Sequence, residues 1–185
     1  MNTIKIEDKE FDILLENDNI AKRTRLIGIQ INVDYENRCP VFIGVLNGSF
    51  LFMADLVKEI TLPCEMAFIR VSSYKDTQST GEIKEAFGLP GNLKDRDIIL
   101  VEDIVDTGFT LAYILKEVYK QQPASVKVCS LLLKPEALKA PIEELEYVGF
   151  EVANEFVVGY GLDYNGLGRN LNHIYKAKTV ASPLP

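Results

Sequence analysis

Short continuous apolar runs alternate along the chain with stretches in which apolar positions recur every three or four residues. Residues 39–46 (CPVFIGVL), 66–71, 98–101 and 125–133 (SVKVCSLLL) are apolar runs of strand length. Runs of this kind read as strands buried on both faces of a parallel sheet. A fifth strand is expected at 156–159. Between the first two runs, FLFMADLVKEI puts Phe50, Met53, Ala54 and Val57 on one helical face. Residues 110–120 do the same with Leu111, Ile114, Leu115 and Val118. Upstream, Ile13, Ile20, Ile27 and Ile31 recur among charges and predict one or two further helices. Strands alternating with helices imply βαβ units, so the expected fold is α/β, a mostly parallel five-stranded sheet flanked by helices.

The stretch 72–97 breaks this rhythm. It is polar, is punctuated by glycine and proline, and exceeds the roughly 12–15 residues at which unstructured loops become uncommon. It reads as a mobile lid, or as a hairpin that turns at Ser79-Thr80-Gly81 and returns along 82–87; a hairpin can also be a lid.

The densest chemistry lies in ILVEDIVDTGFTL, residues 99–111. The strand is expected to end near Val101, leaving Glu102 and Asp103 at its carboxyl end, where open α/β sheets place ligands. The turn Asp106, Thr107, Gly108, Phe109 and Thr110 offers backbone N–H groups and two hydroxyls at a helix N-terminus, a setting for a phosphate monoester. Carboxylates repel phosphate but accept hydrogen bonds from a ribose diol, which assigns Glu102 and Asp103 to a sugar. Asp106 is then left as a proton acceptor, or as the helix N-cap. A phosphohydrolase with an aspartyl nucleophile is the other reading, although it wants several metal-binding acids. Generic nucleotide fingerprints are missing: there is no Gly-x-x-x-x-Gly-Lys-Ser/Thr, and Gly159-Tyr160-Gly161 is followed by Tyr164 where a third glycine would stand.

Composition narrows the setting. With 185 residues and 47% hydrophobic content, the chain reads as one domain with a substantial core. A formal charge of −7 argues against nucleic-acid and anionic-membrane surfaces, which need clustered Lys and Arg. Cys39, Cys64 and Cys129 lack metal-ligand spacing and read as small core residues of a reduced protein. The absence of a signal core or of a run of ~20 apolar residues predicts a cytoplasmic location.

At Glu102-Asp103-Ile104-Val105-Asp106-Thr107-Gly108 the sequence resembles the diphosphate-sugar signature of the type I phosphoribosyltransferases. Residues 68–81 (FIRVSSYKDTQSTG) resemble the lid of the hypoxanthine-guanine members, and 148–173 (VGFEVANEFVVGYGLDYNGLGRNLNH) their purine-binding and carboxyl-terminal segment. With 46–55 included, the likeness spans roughly 40–175 in the family's order. It implies a core at about 38–160 and a small hood from 1–37 and 161–185. It further implies transfer of phosphoribosyl from its diphosphate to a 6-oxopurine, with Mg2+ as cofactor and self-association as a homodimer or homotetramer.

Carried over residue by residue, Asp106 to Thr110 hold the 5′-phosphate and Glu102 and Asp103 the ribose. Asp106 assists proton transfer at purine N7. Lys134 donates to the 6-oxo group, which favours hypoxanthine and guanine over adenine; without the resemblance it reads as a solvated lysine at a strand end. Phe156 stacks on the base and Val157 meets its edge through the backbone, though an aromatic at a strand start also suits a core. Asp163, with Glu102 and Asp103, is a metal ligand, and Arg169 contacts pyrophosphate. Ser73 and Tyr74 close over the diphosphate and exclude water from an oxocarbenium-like ribose. The turn Leu46, Asn47, Gly48 holds pyrophosphate through backbone groups, often with a non-proline cis peptide; Asn47 stands where many relatives carry a basic residue. His173 is assigned a structural role. The rival from another class is a sensor that keeps the sugar-diphosphate cradle without catalysis, and a pyrimidine or adenine transferase is a third reading.

Overall fold

The structure, a computed structural model, describes residues 3–73 and 83–178. Within them the chain runs β1 (Thr3–Ile6), β2 (Lys9–Leu15), α1 (Asn17–Asp34), β3 (Val41–Leu46), α2 (Phe50–Lys58), β4 (Glu65–Ser73), β5 (Ile83–Phe87) and β6 (Asp97–Val105). It continues through α3 (Phe109–Tyr119), β7 (Ser125–Leu133), a 3-10 turn at Pro135–Ala137, β8 (Leu145–Glu151), β9 (Val157–Val158) and β10 (Ile174–Ala177).

The main sheet has the order β5-β4-β3-β6-β7-β8. Five of its strands, β4, β3, β6, β7 and β8, are parallel, and β5 is antiparallel at the edge. Its central strands are apolar on both faces because helices cover both. Ile99 and Val101 of β6 face α1 and α2, joining Ile20, Ile27, Ile31, Phe52, Met53 and Leu56. Ile98 and Leu100 face the other way, toward Leu111, Ile114, Leu115 and Val118 of α3. That is the period-2 alternation of a strand read by two helical layers. The expected apolar stripe of α3 is therefore buried as predicted.

A second, antiparallel sheet, β1-β2-β10-β9, forms the hood. It is built from segments far apart in sequence, sealed by Ile6, Phe11, Val158 and Tyr175. Helix α1 falls within the segment 1–37 expected to form the hood, but its Ile20, Ile27 and Ile31 pack on the parallel sheet.

Several elements differ from expectation. The fifth parallel strand is β8, not 156–159. Only alternate residues of β8 are buried, so it lacks a continuous apolar run. Val157 and Val158 instead pair with Lys176 and Tyr175 of β10, a partnership that periodicity cannot register. Ile13 belongs to β2, opposite Tyr175, and the helix begins only at Asn17; its spacing of seven from Ile20 suits a helix, but Phe11, Ile13 and Leu15 alternate as a strand does. On α2 the buried residues are Phe52, Met53 and Leu56, while Phe50 is 53% exposed and sits 6.5 Å from the Phe68 ring. A helix this apolar all round can turn either adjacent stripe inward. Of the cysteines only Cys129 is buried; Cys64 is half-buried and Cys39 exposed. β5 supplies the expected return strand after 72–81, whose turn lies outside the described residues.

Candidate active site

β6 does not end at Val101 but continues to Val105, because β7 keeps pairing with it: Glu102 opposite Ser130, Ile104 opposite Leu132, Val105 opposite Leu133. Glu102 and Asp103 are thus held by the sheet itself. Glu102 is only 6% exposed. Burial pushes its carboxyl well above the usual carboxylate range, and the negative charge of Asp103 adds to the effect. Burial raises Asp103 as well, while the Ile104 and Asp103 backbone N–H groups, Glu102 and the Arg169 cation pull it down. Two adjacent carboxyls at the end of a buried strand resist full ionisation without a partner.

Beyond Val105 the chain turns sharply into α3. Gly108 takes φ 85°, a left-handed conformation that glycine adopts without a Cβ clash. Gly108 is itself the N-cap and no side chain caps the helix, which removes Asp106 from that role. The first N–H groups of α3 are thus free of a side-chain cap. Glu102, Asp106, Thr107, Gly108 and Thr110 line a cavity of about 220 Å³ with Ile104, Val105 and Leu111. Phe109 and Thr110 are exposed at its rim.

Lys134 follows β7 directly, and parallel register brings it alongside the end of β6. Its N–H donates to the Val105 carbonyl at 2.9 Å, and its Nζ donates to Asp106 Oδ2 at 3.0 Å. At 7% exposure it is not a solvated strand-end lysine.

The turn after β3 approaches from the other side. Its Leu46–Asn47 peptide is cis. The first side-chain carbon of any residue at position 48 would lie 1.6 Å from Asp103 Oδ2, so the Asp103 carboxylate fills the space that only glycine leaves open. Gly48→Ala should therefore displace Asp103. A group assigned to the substrate that moves by about 1 Å should cost about 10²-fold in activity, read as the initial rate of phosphoribosyl transfer, and the clash with a buried carboxylate should lower the thermal midpoint by several degrees.

Gly161, at φ 100°, packs as closely on the other flank: a Cβ there would stand 2.0 Å from the Gly48 carbonyl oxygen. Arg169 Nη1 donates to the Gly161 carbonyl at 2.6 Å, and Nη2 pairs with Asp163 at 2.5 Å. Asp163 also accepts the Gly166 N–H at 2.7 Å. Gly48 thus touches Asp103 on one side and, on the other, the segment that carries Arg169 and Asp163.

Other expected residues stand apart from this group. Phe156 is 45% exposed among hood aromatics, 5.7 Å from Tyr164 and 6.3 Å from Phe11, with Lys9 Nζ 5.2 Å from its ring centre. Val157 is buried in β9. Ser73 closes β4 opposite Ile83, and Tyr74 lies outside the described residues. His173 Nδ1 accepts the Asn17 N–H at 2.9 Å, tying β10 to the start of α1. Sequence reasoning missed Lys9 and Tyr164, which nothing local marks, and Tyr160, which the flanking glycines did mark.

Glu102, Asp103 and Asp163 do not converge on one ion; among the described residues no group of three His, Cys, Asp or Glu does. The oxygen-only Glu102–Asp103 pair, short of counter-charge, suits a hard divalent cation that takes its other ligands from substrate and water.

A buried acid pair and an uncapped helix start at the carboxyl ends of a parallel sheet, beside a hood, define an α/β ligand-binding protein whose site suits an anion next to hydroxyl groups. The model of the phosphoribosyl transferase domain matches residues 10–165, and the chain belongs to that family. It is 42% identical over 163 residues to the hypoxanthine-guanine phosphoribosyltransferase of Bacillus subtilis (strain 168), covering 88% of this chain and 90% of that one. To the hypoxanthine phosphoribosyltransferase of Haemophilus influenzae it is 39% identical over 169 residues, covering 89% and 94%. A solved variant of the Trypanosoma cruzi hypoxanthine phosphoribosyltransferase, complexed with its product IMP, superposes with a TM-score of 0.83 at 34% identity, covering 95% and 93%.

Proposed function

We propose that the protein is a purine-salvage transferase that moves the 5-phosphoribosyl group of phosphoribosyl diphosphate onto N9 of hypoxanthine, and of guanine. The C1′–N9 bond forms, the C1′–O bond to the diphosphate breaks, and IMP or GMP leaves with pyrophosphate. The observation that carries this reading is the buried Lys134 held against Asp106, beside the cavity of about 220 Å³ at the start of α3. A cation there serves the 6-oxo group of the base, and a carboxylate within its reach serves the N7 proton.

The remaining residues take roles that follow from their chemistry. Thr107, Gly108, Phe109 and Thr110 receive the 5′-phosphate on backbone N–H groups and hydroxyls at the start of α3. Glu102 and Asp103 accept the ribose hydroxyls. Leu46, Asn47 and Gly48, with Arg169, hold the departing pyrophosphate. Phe156 offers a ring face to the purine and Val157 its backbone, while Ser73 and Tyr74 shield the ribose from water. Glu102 and Asp103 would hold magnesium, with Asp163 as the third carboxylate assigned to it, and the ion would supply charge neutralisation for the leaving group.

A second copy of the chain is the partner we assign to the exposed face of Phe50, Met66 and Phe68, an apolar patch beside the β3 turn, giving a homodimer or homotetramer. The free cysteines agree with a reducing, cytoplasmic setting.

Incubation with magnesium, phosphoribosyl diphosphate and each of hypoxanthine, guanine, xanthine and adenine tests the reading. Pyrophosphate release is expected with hypoxanthine and guanine and not with adenine. Tight binding of the sugar diphosphate without release for any base would overturn it in favour of a sensor.

A further inference from the structure

The residues 159–161 form a left-handed run, with φ 101° at Gly159, 51° at Tyr160 and 100° at Gly161. The two glycines adopt this backbone readily and the tyrosine does not. Tyr160 is nonetheless 4% exposed, and its hydroxyl donates to Asp55 Oδ2 at 2.5 Å. The other oxygen of Asp55 accepts from Lys58 Nζ at 2.5 Å, so the carboxylate is fixed from both sides. Burial, and then the Asp55 carboxylate, push the Tyr160 phenol far above its usual range, which keeps it a proton donor.

The position of this bond gives it meaning. Asp55 lies on α2, which starts two residues after Gly48. Gly161, the residue after Tyr160, packs on the Gly48 carbonyl and exchanges two hydrogen bonds with Arg169: its N–H donates to the Arg169 carbonyl at 2.9 Å, and its own carbonyl accepts from Nη1 at 2.6 Å. A closed loop of contacts results, from the turn through α2 to Asp55, across to Tyr160, and through Gly161 back to the turn. A side chain distant from the ligand can place the groups that touch it in just this way.

Resting on the function proposed above, we infer that Asp55 and Tyr160 are positioning residues for the pyrophosphate half of the site. Their hydrogen bond holds the Leu46–Gly48 turn and the Arg169 segment at one separation, so that a diphosphate meets backbone and guanidinium together. Of the groups assigned to the purine, Lys134 and Asp106 lie outside the loop, and Phe156 and Val157, four and three residues before Tyr160, are held by β10 and the hood aromatics instead.

Tyr160→Phe deletes only the hydroxyl. A hydrogen bond to a charged group is worth more than about tenfold in an equilibrium constant; with part of that loss passed to the site and the rest to stability, KM for phosphoribosyl diphosphate and the inhibition constant for pyrophosphate should rise by about fivefold to tenfold, with KM for hypoxanthine changing less than about twofold. Asp55→Asn keeps an acceptor oxygen and should lose less than Asp55→Ala. The double variant Tyr160→Phe/Asp55→Ala should be no worse than Asp55→Ala alone. Equal shifts in both KM values, unchanged pyrophosphate inhibition, or additive losses in the double variant would overturn the clamp. If Tyr160→Phe does not fold, the Asp55→Asn to Asp55→Ala comparison decides by the same criteria. Absence of turnover in the unmodified protein strikes the proposed function instead; the clamp is then read from calorimetric binding of phosphoribosyl diphosphate, unchanged affinity in Tyr160→Phe overturning it.

Discussion

Asp106→Asn should lower kcat for hypoxanthine by about 10²-fold, the lower end of what a positioned general base contributes, with KM for phosphoribosyl diphosphate within a few-fold of its starting value. Asparagine has the same shape and still offers Lys134 an acceptor, so the 3.0 Å contact and the turn it braces survive. What is lost is the capacity to take a proton. The loss stays at the low end because Asp106 is partly open to solvent, 45% exposed, and water can carry the N7 proton more slowly. Product release often limits turnover, so the chemical step is best read by rapid-quench single turnover. A single-turnover rate within threefold of the unmodified protein would remove Asp106 as the proton acceptor.

Lys134→Met should cost about 10²-fold to 10³-fold in kcat/KM for hypoxanthine, the range seen when one preorganised donor to a developing negative charge is deleted. The rate with adenine, expected to be low in the unmodified protein, should hardly change, so discrimination between the two bases collapses. Methionine preserves most of the buried stem volume, and the ion pair it removes is half open to water, so the thermal midpoint should move little. Comparing kcat/KM for both bases at saturating phosphoribosyl diphosphate separates the roles. Equal losses for hypoxanthine and adenine would make Lys134 a packing residue.

Legibility differed along the chain for identifiable reasons. Strands β3, β6 and β7 and helix α3 are apolar for the same reason that they are buried, so periodicity alone located them. β8 was missed because an edge strand buries only alternate residues, and β9 was misplaced because its partner β10 is distant in the chain. The acid pair and the turn after it were visible because a turn suited to a phosphate needs glycine, hydroxyls and a helix start in consecutive positions. Lys134, by contrast, looks like any strand-end lysine until the strand is paired. Its burial follows from lying beside the end of β6, which stays in register to Val105.

The sequence by itself determined the alternation of strands and helices, the carboxylates after an apolar run, and the turn that opens α3, because each depends on residues within one or two turns of each other. The tertiary structure decided what those groups face. It put the Asp103 carboxylate in the space left by Gly48, set Gly161 on the Gly48 carbonyl, drew Lys134 to Asp106, and tied Tyr160 to Asp55. Each of these contacts joins segments far apart in the chain, and close packing at such a distance is fixed only when the sheet and its hood assemble.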